Sequence, residues 1–435
     1  MRKSNLLGGA LLLAALFVNT SCKEIFGNMD LSGDTTVSSY VAINTATKTV
    51  APAEEFDLSI TKIGDGTVTW SSSDPAIAEV QGAGLSAKVI AKKSGNATIT
   101  ANVAAAGNYQ AGSAKCAVAV RVSTFRQLKT ELEAKGTEVS VYLADAANIE
   151  WDVDEDIDAT GKKVAIIGGT NTAMTVKKAI QIDNDFALSN VKIDFTNQSS
   201  YFVGFKNATE EVVKIGDVKF ENIEAKNMKQ PLFASKQKNY LMNNISIINS
   251  IVEMGASKNV LDFSGGSGAY NVNFENSTIY ASVSHTTGMF KNNGGQGVRE
   301  IDADGTMTFN FTKSTIYGLA SGKNFFDINT KTKGQAFVTY NVKNNIFVNC
   351  GKSGQVVVGL NGGQTSNNPT WSVSDNVFNN GTSDTSGNEV TKAGNDKSGN
   401  QIVQKSIAKV VAFKDPAKGD FTQSDVEVGD PRWIK

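Results

Sequence analysis

Asn249-Ser250-Ile251-Val252, Ser277-Thr278-Ile279-Tyr280, Ser314-Thr315-Ile316-Tyr317, Asn344-Asn345-Ile346-Phe347 and Asp375-Asn376-Val377-Phe378 read as copies of one turn-plus-strand unit. Asn190-Val191-Lys192-Ile193 and Asp217-Val218-Lys219-Phe220 read as earlier copies. The copies stand about 27 to 37 residues apart, the length of one solenoid coil with loop insertions. A second strand recurs after most of them: Phe202–Phe205, Leu232–Ser235, Val260–Phe263, Met289–Asn292, Phe325–Ile328 and Val357–Leu360. Both columns alternate with period two and are rich in Val, Ile, Phe and Thr, which excludes helices. Asn at the turns suits a sharp corner, because it tolerates the left-handed backbone and its amides can bond from coil to coil.

Outward from this array, Ser123-Thr124-Phe125-Arg126-Gln127-Leu128-Lys129-Thr130-Glu131-Leu132 has apolar residues at helical spacing behind a Ser/Thr cap, and Gly136 ends it. A lone amphipathic helix there is expected to cover the open apolar end of the solenoid. Further upstream, seven short alternating stretches lie at 41–43, 56–60, 67–70, 77–80, 87–91, 97–101 and 117–120, enough for a small β-sandwich. Trp70 is expected to fill its core, Ser72-Ser73-Asp74-Pro75 to break a strand and Gly95 to supply a turn.

The run Trp70-Ser71-Ser72-Ser73-Asp74-Pro75-Ala76-Ile77-Ala78-Glu79-Val80, followed by Gly95-Asn96-Ala97-Thr98-Ile99-Thr100-Ala101, resembles the group 2 bacterial immunoglobulin-like domain, which implies a spacer spanning residues 38–122. Residues 123–415 resemble the pectate-lyase-like right-handed β-helix. The fold class expected is all-β: a small Ig-like β-sandwich, then a single-stranded right-handed parallel β-helix with an N-terminal capping helix.

Arg2 and Lys3 precede an apolar run from Leu6 to Val18 that is too short to span a bilayer, which needs about 20 residues. Cys22 after Thr20-Ser21 resembles the lipobox of bacterial lipoproteins, although Asn19 departs from the expected Leu. The resemblance implies a signal peptide over 1–22, lipid attachment at Cys22 and an outer-membrane, surface-exposed address. Residues 23–37 read as a tether and 416–435 as a C-terminal tail. With the closing Val428-Gly429-Asp430-Pro431-Arg432-Trp433, the chain looks like the uncharacterised β-helix lipoproteins of polysaccharide-degrading Gram-negative bacteria. Cys116 and Cys350 fall in different predicted domains and are expected to be buried free thiols.

Composition excludes other classes. With 42 basic and 43 acidic residues the net charge is -1, so no basic field steers the chain onto nucleic acid. Forty glycines against six prolines agree with many strands and tight turns.

Few constellations offer chemistry. The Asn-Thr-Asp, paired Asp, Gly-His-Gly and Arg-Ile-Lys pattern of polygalacturonases is absent, and the only histidine, His285, sits in a loop-like Ser-His-Thr-Thr and reads as a solvated side chain. Arg299, in a Gly-rich insertion, is the one arginine among the repeats. If Leu261 and Phe263 point inward, Asp262, Lys291 and Asp327 stack outward beside Gly204, Ala234 and Gly359. That stack is either a polar patch in a shallow groove or a self-neutralising ladder. Tyr280, Tyr317, Phe347 and Phe378 read as one column, a sugar-stacking platform if it faces outward and core packing if inward. The acidic run Glu150–Asp158 lacks the turn glycine and distal Glu of an EF-hand and reads as solvated.

The function expected is non-catalytic polysaccharide binding on the β-helix flank, with glycan-binding candidates Tyr280, Tyr317, Asp262, Lys291 and Asp327 and no cofactor. A polysaccharide lyase using Lys291 or Arg299 as base, with Asp262 and Asp327 on calcium, is one alternative. An adhesin or scaffold touching protein through the solenoid edge or the loop Thr382 to Gly399 is the other.

Overall fold

The computed structural model describes residues 36–205, 209–235, 237, 239–292, 298–321, 326–328, 338–351, 370–379, 386–395 and 401–435. Cys22 and the signal and tether readings up to residue 35 lie outside these residues, as does Gly359.

The N-terminal part is a sandwich of two four-stranded sheets. One runs Tyr40–Ile43, Glu55–Ile63, Ser86–Ala91, Ala78–Ala83; the other runs Thr47–Val50, Gly112–Val120, Gly95–Val103, Val68–Ser72. Thr47–Val50 is an eighth strand beyond the seven expected, and it pairs parallel with Gly112–Val120. Its exposed Thr and Lys side chains hid it, since only Val50 reaches the core. Trp70 is partly buried against the core, and its indole N–H donates to the Gly84 carbonyl at 3.0 Å. Asp74 ends its strand by accepting from the Ala76 N–H at 2.9 Å. Gly95 adopts a positive φ where a Cβ would lie 2.6 Å from Ile77, so both backbone and space demand glycine.

Residues from Glu138 onward wind into a parallel β-helix with three faces. Among the described residues face one has nine strands, from Glu138–Tyr142 through Val213–Glu221, Tyr240–Ile248 and Gly268–Glu275 to Thr370–Ser374. Face two follows within each coil, as in Lys192–Asp194, Glu224–Met228, Ile251–Met254, Thr278–Ala281 and Thr315–Tyr317. Face three follows in turn, as in Val203–Phe205, Phe233–Ala234, Leu261–Asp262 and Phe290–Asn292. The two recurring columns of the sequence are faces two and three. Face one is the third, and Asp217-Val218-Lys219-Phe220 belongs to it rather than to a corner.

The corner between faces one and two explains the repeat. Asn190, Asn222, Asn249, Asn276, Lys313, Asn344 and Asp375 each sit there at φ between 48° and 59°. One left-handed residue turns the chain sharply while its N–H still donates to the next coil, so the parallel ladder runs unbroken through the corner. At the last five of these corners the following residue is polar, points inward and is fully buried: Ser250, Ser277, Ser314, Asn345, Asn376. Each accepts from the backbone N–H of the previous coil, as in Ser250 N–H to Ser277 Oγ at 3.1 Å and Ser314 N–H to Asn345 Oδ1 at 2.9 Å. The rest of the interior is apolar, with Phe186, Phe220, Phe233, Phe263, Phe274, Phe290 and Phe309 among the fully buried side chains.

The expected helix spans Phe125–Glu133, with Thr124 and Gln127 forming a reciprocal capping box. It lays Phe125, Leu128 and Leu132 over the first coil, with the Phe125 and Trp151 rings 4.8 Å apart. Its Glu131 joins the two parts of the molecule: the carboxylate accepts from the Ser94 N–H at 2.7 Å and the Ser94 hydroxyl at 2.6 Å. Ser94 Oγ in turn accepts from the Tyr142 N–H of the first coil at 3.1 Å. Cys116 and Cys350 are free and buried, as expected.

At the far end, Ser386–Asn395 pairs antiparallel with Gln401–Lys409, so the expected loop Thr382 to Gly399 contains a strand. Arg299 lies in a short helix, Val298–Ile301, rather than in a loop; for it, as for Asp327, only the backbone is described.

Two outcomes follow from these contacts. Asn249→Gly should leave the urea midpoint nearly unchanged, while Asn249→Val, which forces a β-branched residue into the left-handed well, should cost about 1–2 kcal/mol. Burial pushes the Glu131 carboxyl above its ordinary 4.5, with the Ser94 hydrogen bonds opposing. The native state therefore binds that proton more tightly than the unfolded chain, so the associated stability is present below about 4.5 and is lost as pH rises through the raised value. Glu131→Gln should flatten this part of the profile, read as thermal midpoints at pH 4.5 and 7.5; parallel wild-type and variant profiles would contradict it.

Candidate functional site

The tyrosine column resolves first. In register, Tyr280 pairs with Tyr317 and then with Val348, while Ile279 and Ile316 pair with Phe347 and Phe378. Phe347 and Phe378 are therefore interior residues, and the expected four-membered aromatic column is corrected to two tyrosines. The Phe347 and Phe378 corners are offset by one residue from the Tyr280 and Tyr317 corners, and on a strand one residue exchanges the faces.

Tyr280 and Tyr317 do point away from the coil interior, yet Tyr280 is only 3% exposed. Residues 410–435 fold back along face two as a strap. Phe421 packs on both tyrosines, with ring centroids 5.2 and 5.6 Å away, and Phe413 packs on Tyr317 at 6.1 Å. Gly419 and Gly429 pass so close that a Cβ would lie 2.7 Å from the Tyr280 hydroxyl and 2.6 Å from Ile346, respectively, and both have positive φ. The Tyr280 hydroxyl donates to Glu253 at 3.1 Å, and burial followed by that carboxylate holds its ionisation far above the usual range. The strap thus covers Tyr280, while Tyr317 stays partly exposed at its edge.

The strap ends in a polar clasp. Asp430, 1% exposed, accepts from the Thr278 hydroxyl at 2.7 Å, and its own N–H donates to Thr315 Oγ1 at 3.1 Å. Arg432 pairs with Asp430 and donates to the corner carbonyls of Asn249, Ser250 and Asn276 at 3.0, 2.8 and 3.2 Å. The Trp433 indole donates to Thr278 Oγ1 at 2.7 Å. The sequence signal was the closing Val428–Trp433 motif, whose Asp, Arg and Trp had no assigned partners.

The charged stack has the expected register: Gly204, Ala234, Asp262, Lys291 and Asp327 pair in succession on face three. The expected open groove beside it is not there on the Gly204 side, where the Tyr201 ring occupies the space a Cβ would take. Asp262 is 8% exposed, and one of its oxygens accepts from the Ser264 N–H at 2.9 Å. Lys291 is half-buried.

His285 is buried, not solvated. Its Nε2 lies 2.7 Å from the Lys258 carbonyl, and its Nδ1 accepts from the Ala320 N–H at 3.3 Å. Burial lowers its pKa, so it is a neutral tie between coils. In the acidic run, Asp154 pairs with Lys177 and Lys178, and Asp156 accepts from the Ala179 N–H and from Gln181. Among the described residues no cluster of three or more His, Cys, Asp or Glu could hold a metal.

The surface that the sequence reading missed lies where the strap stops. A groove of about 490 Å³ runs along the corner between faces one and two. One wall is the corner amides Asn190, Asn222 and Asn249; the floor includes Val191 and Ile223; the other wall is the outward column Lys192, Glu224 and Ile251. Arg432 closes one end. Asn222 Nδ2 donates to Asn190 Oδ1 at 3.2 Å, and Lys192 donates to Asn171 Oδ1 at 3.2 Å, which fixes part of the lining in advance.

Residues 149–282 match the family model Domain of unknown function (DUF4957). The matched stretch contains every groove residue except Arg432, and the strap lies outside it. With the parallel sheets, the match agrees with a β-helix-like fold. No curated protein and no solved structure matches the chain.

Because Arg432 anchors the strap through three carbonyls and a buried carboxylate, Arg432→Ala should loosen residues 410–435 by about 2 kcal/mol. Limited proteolysis should then cut the tail at least tenfold faster, with the coils intact, and unchanged cleavage would contradict the clasp.

Proposed function

We propose that this protein is a surface-exposed outer-membrane lipoprotein, acylated at Cys22, that binds polysaccharide without catalysis along the flank of its β-helix. The N-terminal sandwich is read as a group 2 bacterial immunoglobulin-like spacer and the coils as a pectate-lyase-like right-handed β-helix. The observation that carries the binding reading is the corner groove. Its volume suits a small oligosaccharide segment. Stacked amides offer both donors and acceptors to hydroxyl groups, and Ile251 offers apolar surface to the face of a sugar ring. The groove follows the coil axis, so amides repeat about every 4.8 Å, a spacing suited to successive residues of an extended chain.

The glycan site moves accordingly from Tyr280 and Tyr317 to Asn190, Lys192, Asn222 and Ile251. Asp262, 8% exposed, and Lys291, half-buried, offer little surface on face three, so the Asp262, Lys291 and Asp327 stack is read as a self-neutralising ladder.

The test is affinity electrophoresis through gels containing plant and host polysaccharides. Asn190→Gly with Asn222→Gly removes two amides at positions where glycine keeps the corner backbone unstrained. Retardation by one polymer, weakened at least fivefold in the double variant, is the expected result. Wild-type mobility unchanged by every polymer would overturn glycan binding and favour the scaffold or adhesin reading. Release of unsaturated uronide ends in the presence of calcium would favour the lyase.

A further inference from the structure

The sandwich has two unlike ends. One carries Ser94, Gly95 and Arg121 and docks on the solenoid: Arg121 donates to the Gly95 carbonyl at 2.9 Å and lies 5.3 Å from the centre of the Tyr142 ring. The other end is reached eight residues later, along Gly95–Val103, at a distance of about 26–27 Å. There the chain enters from residue 36, and Val37 bridges to Tyr109.

That far end is apolar. Among the described residues, the four most exposed large hydrophobic side chains are Tyr40 at 57%, Ile63 at 56%, Val37 at 54% and Leu85 at 51%. Tyr40 and Ile63 are direct cross-strand partners. The Tyr109 ring lies against Gly64, where a Cβ would be 3.0 Å away, so Val37, Tyr109, Ile63 and Tyr40 form one connected surface. The Leu85 carbonyl accepts from Ile60 on the same strand as Ile63. Singly scattered apolar residues need no explanation, but a contiguous set with two tyrosines does.

We propose that this end of the sandwich seats on the headgroup boundary of a lipid bilayer, holding the solenoid directed away from the membrane. The inference rests on the reading of Cys22 as a lipid anchor. Thirteen residues, 23–35, separate Cys22 from Thr36, and a chain of that length can reach at most about 45 Å, which keeps the apolar end near the bilayer at high effective concentration. Tyrosines with aliphatic neighbours favour that interface, where one edge of the ring is wet and the other apolar.

The experiment holds the chain 23–435 by an N-terminal polyhistidine on vesicles of phosphatidylethanolamine and phosphatidylglycerol doped with nickel-chelating lipid. Half-maximal sedimentation should need at least fivefold less nickel lipid for the wild type than for Tyr40→Ser with Ile63→Ser, whose exposed positions leave the thermal midpoint unchanged. Emission of a Tyr40→Trp variant should be quenched by brominated acyl chains. Superimposable binding curves, or no quenching, would overturn the proposal. So would a lipid-free dimer that the double serine variant abolishes, or an indole emission of the Tyr40→Trp variant already blue-shifted without lipid. Acylation is tested separately, by palmitate incorporation into the full chain against Cys22→Ser. Failure there would remove the anchor and leave the vesicle result standing.

Discussion

From Tyr240 onward, each coil passes from its first face to its second through a single residue at positive φ, followed by one buried polar side chain. The first element bends the chain without adding a loop. The second satisfies a backbone N–H of the neighbouring coil inside an apolar interior, where an unpaired donor costs about 1–3 kcal/mol. Asn345 shows how completely this is done: its amide accepts from Ser314 and donates to the Phe311 carbonyl and to Asn376 Oδ1. Shifting one coil by a residue would put an apolar side chain on that ladder and a polar one in the core. Register is therefore specified coil by coil, and the flank surfaces inherit their order from it.

The same constraint decides what could be read from sequence. Asn and Ser at the corners have a local signature, so the solenoid, its period and faces two and three were legible. Face one was not, because one left-handed residue separates it from face two. Ile248-Asn249-Ser250-Ile251 reads as continuous strand although it crosses a corner. The slip that grouped Phe347 with Tyr317 has the same origin, since an Asn-Asn corner and a Ser-Thr corner look alike when shifted by one. Burial of Tyr280 and His285 depends on residues far away in the chain, Phe421 for the first and Ala320 for the second, and no local pattern encodes such contacts.

The outward columns of face two change character along the axis. In the earlier coils they carry Lys192 and Glu224 in one column and Asp194 and Lys226 in the other. In the later coils the same columns carry Ile346 and Val377, and Tyr280, Tyr317 and Val348. The strap covers the second region and stops at Thr278 and Ser250, where the surface becomes polar. An uncovered sheet face with Tyr, Ile and Val in register would invite pairing with another chain. The strap thus does for the late coils what the helix Phe125–Glu133 does for the first: each covers apolar surface that a solenoid cannot bury by stacking alone.

Covering also creates shape. A β-helix flank is close to flat, and a flat polar surface holds a ligand poorly because little of the ligand is desolvated. Where the strap ends, Arg432 stands above the corner and turns the adjoining flank into a groove closed at one end. Arg432 is tied to Asp430 and to three main-chain carbonyls, so that end wall is fixed by the same bonds that hold the tail. Loosening the clasp would then alter two properties together, the exposure of the tyrosines and the shape of the groove. Loss of the corner amides would alter the groove alone, because glycine there retains the backbone that sets the register.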